Sequence, residues 1–222
     1  QTGTYLRYDG GTDASMAGCS TGRRPQNEPS VAVDPANTDI VVAGANDYCR
    51  QTVGGDVWTG YYRSTDGGTS WALSLVPGYP GDVSPAGQAS PANGQCEAAG
   101  DPTQAFDAQG RLFYAFICFN RVKPSNGSIY AATYSAHGAT YVRTVRIAAG
   151  APSVWGLFQD KINLTVDRST GNVYVVWGRY PGQSSNNVLY FSRSTDHGAS
   201  FSTPIRLAPG LAEEQFGDVT VG

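Results

Sequence analysis

Hydrophobic residues along this chain fall in short runs, some unbroken and some alternating with polar residues. Clusters of Gly, Pro, Asn, Asp and Ser separate them. Short apolar runs bounded by turn residues predict β-strands. The runs also recur in a fixed order. One type reads Glu28-Pro29-Ser30-Val31-Ala32-Val33-Asp34, then Asp101-Pro102-Thr103-Gln104-Ala105-Phe106-Asp107, then Lys161-Ile162-Asn163-Leu164-Thr165-Val166-Asp167. Each ends in Asp and a turn, and each turn feeds a second apolar run, at 40–45, 112–117 and 173–177. A third run follows at 57–62, 128–134 and 187–192, and a fourth near 71–76, 141–147 and 202–207. Asp218-Val219-Thr220-Val221-Gly222 starts the cycle once more.

Four antiparallel strands recurring in this way describe a propeller blade, with the unbroken apolar strands buried between neighbouring blades. The expected fold is therefore all-β, a partial ring of three four-stranded blades plus one strand. Residues 1–27 form an N-terminal segment that packs on or closes the propeller. Blade 1 is 28–77, a long loop 78–100, blade 2 101–148, a loop 149–159, blade 3 160–208, and 209–222 the first strand of a fourth blade. Three blades are too few for a ring, so the remaining blades of a longer protein, or another chain, are expected to complete it.

Composition supports many short strands: 28 Gly, 13 Pro and 13 Tyr stand in 222 residues with only 15% charged. A net charge of −3 gives no reason to expect nucleic acid as partner. No apolar run approaches the ~20 residues of a membrane helix. Cys19, Cys49, Cys96 and Cys118 form no CxxC pair, and with only two His they argue against zinc and for disulfides in an oxidising, extracellular setting. Cys19 and Cys96 precede a first strand, whereas Cys49 and Cys118 follow a second. Cys19–Cys49 with Cys96–Cys118 would staple equivalent loops, and Cys49–Cys96 is the competing pairing.

One turn occurs twice. Ser64-Thr65-Asp66-Gly67-Gly68-Thr69-Ser70-Trp71 and Ser194-Thr195-Asp196-His197-Gly198-Ala199-Ser200-Phe201 both read Ser-x-Asp-x-Gly-x-Ser-aromatic. Asp accepts bonds from backbone N–H groups further on, Gly takes the positive φ, and the aromatic folds back as a plug. The repeat resembles the Asp box of the bacterial sialidase-like (BNR-repeat) β-propellers, over about 28–222. In those proteins the box locks a turn away from the active site. Blade 2 carries a shortened copy, Ser135 to Tyr141, in which His137 reads as a turn residue. With His137 and His197 both in such turns, no Ser-His-Asp triad is expected.

Antiparallel connectivity puts the box turns on one face and the long loops on the other, where binding and catalysis are expected. Glu28, Asp101, Asp160 and Asp218 stand at the starts of inner strands near the central channel. Arg50, Arg121 and Arg179 stand at or beyond the ends of second strands. Glu28, Asp101 and Asp160 are the candidate catalytic acids. Arg50, Arg121, Arg179, Asp218, Trp155 and Tyr180 are candidate ligand contacts, the two rings for stacking on sugar. Trp58 and Trp177 read as core. Acids there suit proton transfer to a glycosidic oxygen, and Arg forks suit a carboxylate-bearing sugar. The competing use of these charges is structural: acids that bond loop N–H groups or neutralise the arginines. A calcium ion on the acidic ring is a further use; no other cofactor is implied.

The resemblance implies a secreted or cell-surface protein that acts on or binds glycans, with glycoside hydrolysis of acidic glycans as one activity. It also marks a departure. The first-strand Arg-Ile-Pro motif of sialidases is replaced by Gln26-Asn27-Glu28-Pro29, which keeps the Pro and lacks the Arg. A non-catalytic propeller of a cell surface or extracellular assembly is therefore the alternative function.

Overall fold

Among the described residues, twelve strands form three antiparallel four-stranded sheets, each paired in chain order. A computed structural model describes residues 3–22, 24–122, 126–151, 156–182, 187–211 and 213–222. The first sheet holds β1 Gln26–Val33, β2 Val41–Asp47, β3 Trp58–Ser64 and β4 Ala72–Leu75. The second holds β5 Ala98–Phe106, β6 Leu112–Asn120, β7 Asn126–Ser135 and β8 Thr140–Ala148. The third holds β9 Leu157–Val166, β10 Val173–Tyr180, β11 Val188–Ser194 and β12 Ile205–Arg206. Asn126 and Gly127 of β7 also pair in parallel with Leu157 and Phe158 of β9, which joins the second and third sheets at one corner.

The middle sheet shows how the layers stack. Side chains alternate faces along a strand, and β6 is apolar at every position from Leu112 to Cys118. Leu112, Tyr114 and Phe116 enter the core shared with sheet 1, while Phe113, Ala115 and Ile117 enter the core shared with sheet 3. Burying side chains of this size contributes about 1.5–3 kcal/mol each. The doubly covered strands are thus the second ones, not the innermost. On β1, Val31 and Val33 remain 62% and 47% exposed, because no sheet covers that face among the described residues. Trp58 and Trp177 are fully buried core residues.

Each inner strand bulges at the same place. The pairing slips between Asn27 and Ser30, between Gly100 and Thr103, and opposite Val176–Gly178 in β9. At each slip one non-glycine residue is left-handed: Glu28 at φ 50°, Asp101 at φ 50° and Lys161 at φ 53°. Such backbone costs energy, and bulges re-aim side chains beside functional sites.

The two Ser-x-Asp turns share one hydrogen-bond set. Ser64 Oγ donates to Asp66 Oδ1 (2.7 Å), and Asp66 accepts from Ser70 N (2.8 Å) and Ser70 Oγ (2.6 Å). Ser194, Asp196 and Ser200 repeat these bonds at 2.7, 2.9 and 2.5 Å. Gly68 N and Gly198 N donate to the leading Ser Oγ, and Trp71 Nε1 returns to Gly68 O. In the shortened turn His137 takes φ 57°, matching Gly67 and His197, so the missing residue lies before the His and Ala136 stands where the others have Asp. His137 Nδ1 lies 2.5 Å from Asp34 Oδ2, and Tyr61 Oη donates to Gly138 O. The turn therefore clips sheet 2 to sheet 1.

Two disulfides form, Cys19–Cys49 and Cys96–Cys118. The first joins helix α1, Ala14–Cys19, to the short 3-10 helix Cys49–Val53, and the second joins the long 76–97 connection to β6. The N-terminal segment lies along β4, with Leu6 N bonded to Leu73 O and Tyr5 Oη donating to buried Asp47.

Candidate functional site

The three bulges bring Glu28, Asp101 and Lys161 together where the inner strands meet. Lys161 Nζ lies 3.1 Å from Asp101 Oδ2 and 3.6 Å from Glu28 Oε1. Asn46, from β2, donates to Glu28 Oε2 (2.9 Å) and to Asp101 Oδ1 (3.3 Å), and its Oδ1 accepts from Asp101 N. The Glu28–Asp101 pair is therefore gripped on one side by an amide from sheet 1 and on the other by an ammonium from sheet 3. Gly100 is required there, since a Cβ would strike the Asn46 side chain. Asp218 joins from the last segment, where Asn163 Nδ2 donates to it at 2.6 Å. Glu28, Asp101, Lys161, Asn163 and Asp218 line an open cavity of about 350 Å³ with Pro102, Phe216 and Gly217.

Crowding separates the acids. A hydrogen bond shared with Asp101, then burial, raises Glu28 above the usual carboxylate range. Burial works against the Asp101 carboxylate, but Glu28 and the Lys161 ammonium outweigh it and hold Asp101 low. Asp160 is pushed up to about 7, first by burial and then by the Asp101 charge. It bonds its neighbour's Lys161 N at 2.8 Å and does not line the cavity. The hub thus presents one carboxyl that holds its proton more tightly beside one that gives it up more readily, with a third acid behind them pushed up to about 7.

Of the other candidates, Tyr180 sits close enough to Asp160 and Lys161 for their charges to bear on its phenol. Trp155 lies outside the described residues. The arginines do not converge on the hub. Arg50 is buried, bonding Ser15 Oγ and Pro80 O; Arg121 pairs with Asp56 at 2.6 Å and stacks on Phe119; Arg179 bonds Tyr190 Oη and stacks on its ring. Each guanidinium lies back on its own sheet or the adjoining loop. Among the described residues no three carboxylates or imidazoles close in as metal ligands.

Sequence reading missed Asn46 and Lys161. Lys161 had a signal: it holds the register of Glu28 and Asp101, a charge reversal within a repeated position. Asn46 had none, because its role exists only across two sheets.

No protein-family model matches the chain, and no curated protein matches it. Solved structures do. An α-L-arabinofuranosidase from Fusarium graminearum, in complex with an iminosugar inhibitor, is 13% identical with a TM-score of 0.55, over 85% of this chain and 51% of that one. An α-L-arabinanase from Penicillium chrysogenum, complexed with arabinobiose, is 15% identical with a TM-score of 0.55, over 82% and 49%. An endo-arabinase from Bacteroides thetaiotaomicron is 12% identical with a TM-score of 0.52, over 84% and 62%. The fold is that of a β-propeller. The chain spans about half the length of the first two propellers, and identities this low establish the fold alone.

Proposed function

We propose that this propeller is glycan-active and that its hub is the active centre, with Glu28 as proton donor and Asp101 as the ionised partner. The observation that carries the reading is the meeting of Glu28 and Asp101 in one cavity, bridged by Asn46 Nδ2 and Lys161 Nζ, an arrangement that raises Glu28 and lowers Asp101. Neighbouring carboxyls whose surroundings push their pKa values apart mark a pair able to divide the acid and base roles of proton transfer. Asp160, behind them at about 7, is the group whose ionisation would switch the pair's field. Propeller neighbours that act on glycans add support to the substrate class.

The substrate we assign to the hub is a neutral saccharide. Glu28, Asp101 and Asp218 line the hub with Lys161 as the one cation of that lining, and none of Arg50, Arg121 or Arg179 enters it, so the site lacks the guanidinium fork that would hold a sugar carboxylate. That revises the acidic glycan expected from the resemblance. Two disulfides fit a secreted setting.

A non-catalytic glycan-binding propeller is the second reading, favoured by the absent first-strand arginine at Gln26-Asn27-Glu28. Turnover on a panel of neutral aryl glycosides and polysaccharides, lost in Glu28→Gln and Asp101→Asn, supports the enzyme. Retention on a glycan array with no turnover by the intact protein leaves the binding reading.

A further inference from the structure

Nine non-glycine residues among those described carry a positive φ, and four of them line the hub cavity: Glu28, Asp101, Lys161 and Phe216, at φ 50°, 50°, 53° and 55°. The first three are the bulge residues of their inner strands. The fourth stands in the same register. Lys161-Ile162-Asn163-Leu164-Thr165-Val166 aligns with Phe216-Gly217-Asp218-Val219-Thr220-Val221, and the aligned Asn163 and Asp218 meet, Nδ2 donating to Oδ1 at 2.6 Å. The backbone device that turns two acids and a base into the hub therefore turns an aromatic ring into it as well.

A lone exposed Phe carries little meaning. Its backbone does, because a bulky residue in the left-handed region is strained and persists only where its surroundings hold it. Phe216 is held on both sides. Glu214 N donates to Asn187 O at 2.9 Å, and Glu214 Oε2 accepts from Leu189 N at 3.2 Å. Gly217 lies so close to sheet 3 that a Cβ would stand 2.9 Å from Val176 Cγ2. The ring itself is 71% exposed, so its own packing does not impose this conformation. Glu28, Asp101 and Lys161 offer partners for sugar hydroxyls, and the negative face of a benzene ring attracts the weakly positive C–H face of a sugar. We propose that Phe216 is the stacking platform of the hub, the contact that selects a cyclic saccharide; the inference rests on the reading of the hub as a glycan site.

NMR titration with methyl β-D-glucopyranoside and with cellobiose tests this, sorbitol serving as the polyol without a ring. Each sugar should bind saturably and at least about tenfold more tightly than sorbitol. Its C–H protons should shift upfield, as protons over the face of an aromatic ring do. Phe216→Ala should weaken binding at least about tenfold and abolish those shifts, and Phe216→Tyr, which keeps the ring, should restore both. Phe216→Leu, apolar but not flat, should fall between. Phe216→Gly should lose binding as Phe216→Ala does, yet melt no lower than the wild type, since glycine accepts the positive φ. Asp66→Ala, at the rim, should bind as the wild type does. Turnover of the neutral aryl glycosides keeps the two readings apart. Turnover that survives Phe216→Ala with KM unchanged overturns the platform and leaves the hub's catalysis standing. Binding that depends on Phe216 without turnover upholds the platform and removes the catalysis. Absence of saturable binding in the wild type, or full binding in Phe216→Ala, overturns the assignment.

Discussion

Two of the positions at which acidic residues recur in this molecule, the rim turns and the hub, differ in how they treat the charge. At the rim turns, Asp66 and Asp196 accept from a serine hydroxyl, a backbone N–H and a second hydroxyl, which hold both carboxyls at about 2. At the hub, burial and a neighbouring acid push Asp160 up to about 7, and Glu28 is raised by its bond to Asp101. The rim acids are exposed yet fully satisfied; at the hub, Glu28 and Asp160 are crowded by Asp101, which Glu28 and Lys161 hold low. A repeated acid is therefore not evidence of a shared role. What decides is whether the surroundings favour the charge, as in the turns, or oppose it, as at Glu28 and Asp160.

The largest effect that would sharpen this contrast is on chemistry. Asp101→Asn and Glu28→Gln should each lower turnover on neutral glycosides by about 10²–10⁴-fold, the range of a lost acid or base. Asp66→Ala should leave turnover within about twofold, since its carboxylate touches only its own turn. Equal losses at rim and hub would break the comparison.

Stability against pH should separate the regions next. Asp160 has a folded pKa of about 7, above its ordinary 3.8. The native state therefore holds the extra proton, and stability from this group is full below pH 4 and lost as pH rises towards 7. Asp66 and Asp196 run the other way: their contribution is present above pH 4 and lost as pH falls towards 2. Asp160→Asn should raise Tm at pH 8, by about 2–4 °C for each kcal/mol recovered, and do little at pH 3. Asp196→Ala should lower Tm at pH 7 and do little at pH 2. Thermal melts across pH 2–9 read both.

The disulfides give a smaller test, of where each region draws its rigidity. Cys96→Ala with Cys118→Ala opens a loop with a sequence separation of 22, and should cost about 2–4 kcal/mol. Because the pair holds the 76–97 connection rather than the hub, urea unfolding should show the loss while the hub pKa values stay put.

Much of the fold was legible, because period-two runs and turn residues are local signals. Val31, Val33 and the continuous 112–117 run identified strands without reference to the rest of the chain. The turns at Asp66 and Asp196 were equally local, each bonding within its own eight residues. The hub was legible in part: repetition set Glu28 and Asp101 in one register, and the strand starts placed Asp160 and Asp218 near them. Direction was not legible. Arg50, Arg121 and Arg179 stand at equivalent strand ends, yet their long stems fold onto Ser15 and Pro80, Asp56 and Phe119, and Tyr190. Strand position fixes the face on which a side chain emerges, but only packing decides where a flexible guanidinium comes to rest. Asn46 shows the same limit, since its two acids come from different sheets.

The central claim is that the hub splits its carboxyls, and carbon-detected NMR titration of the side-chain carboxyls measures that split directly. Asp160 should titrate near pH 7 and Glu28 above Asp101, with the rim Asp66 and Asp196 near 2. If Glu28, Asp101 and Asp160 instead titrate together near pH 4, the hub is an ordinary solvated acid cluster and the proposed chemistry has no basis there.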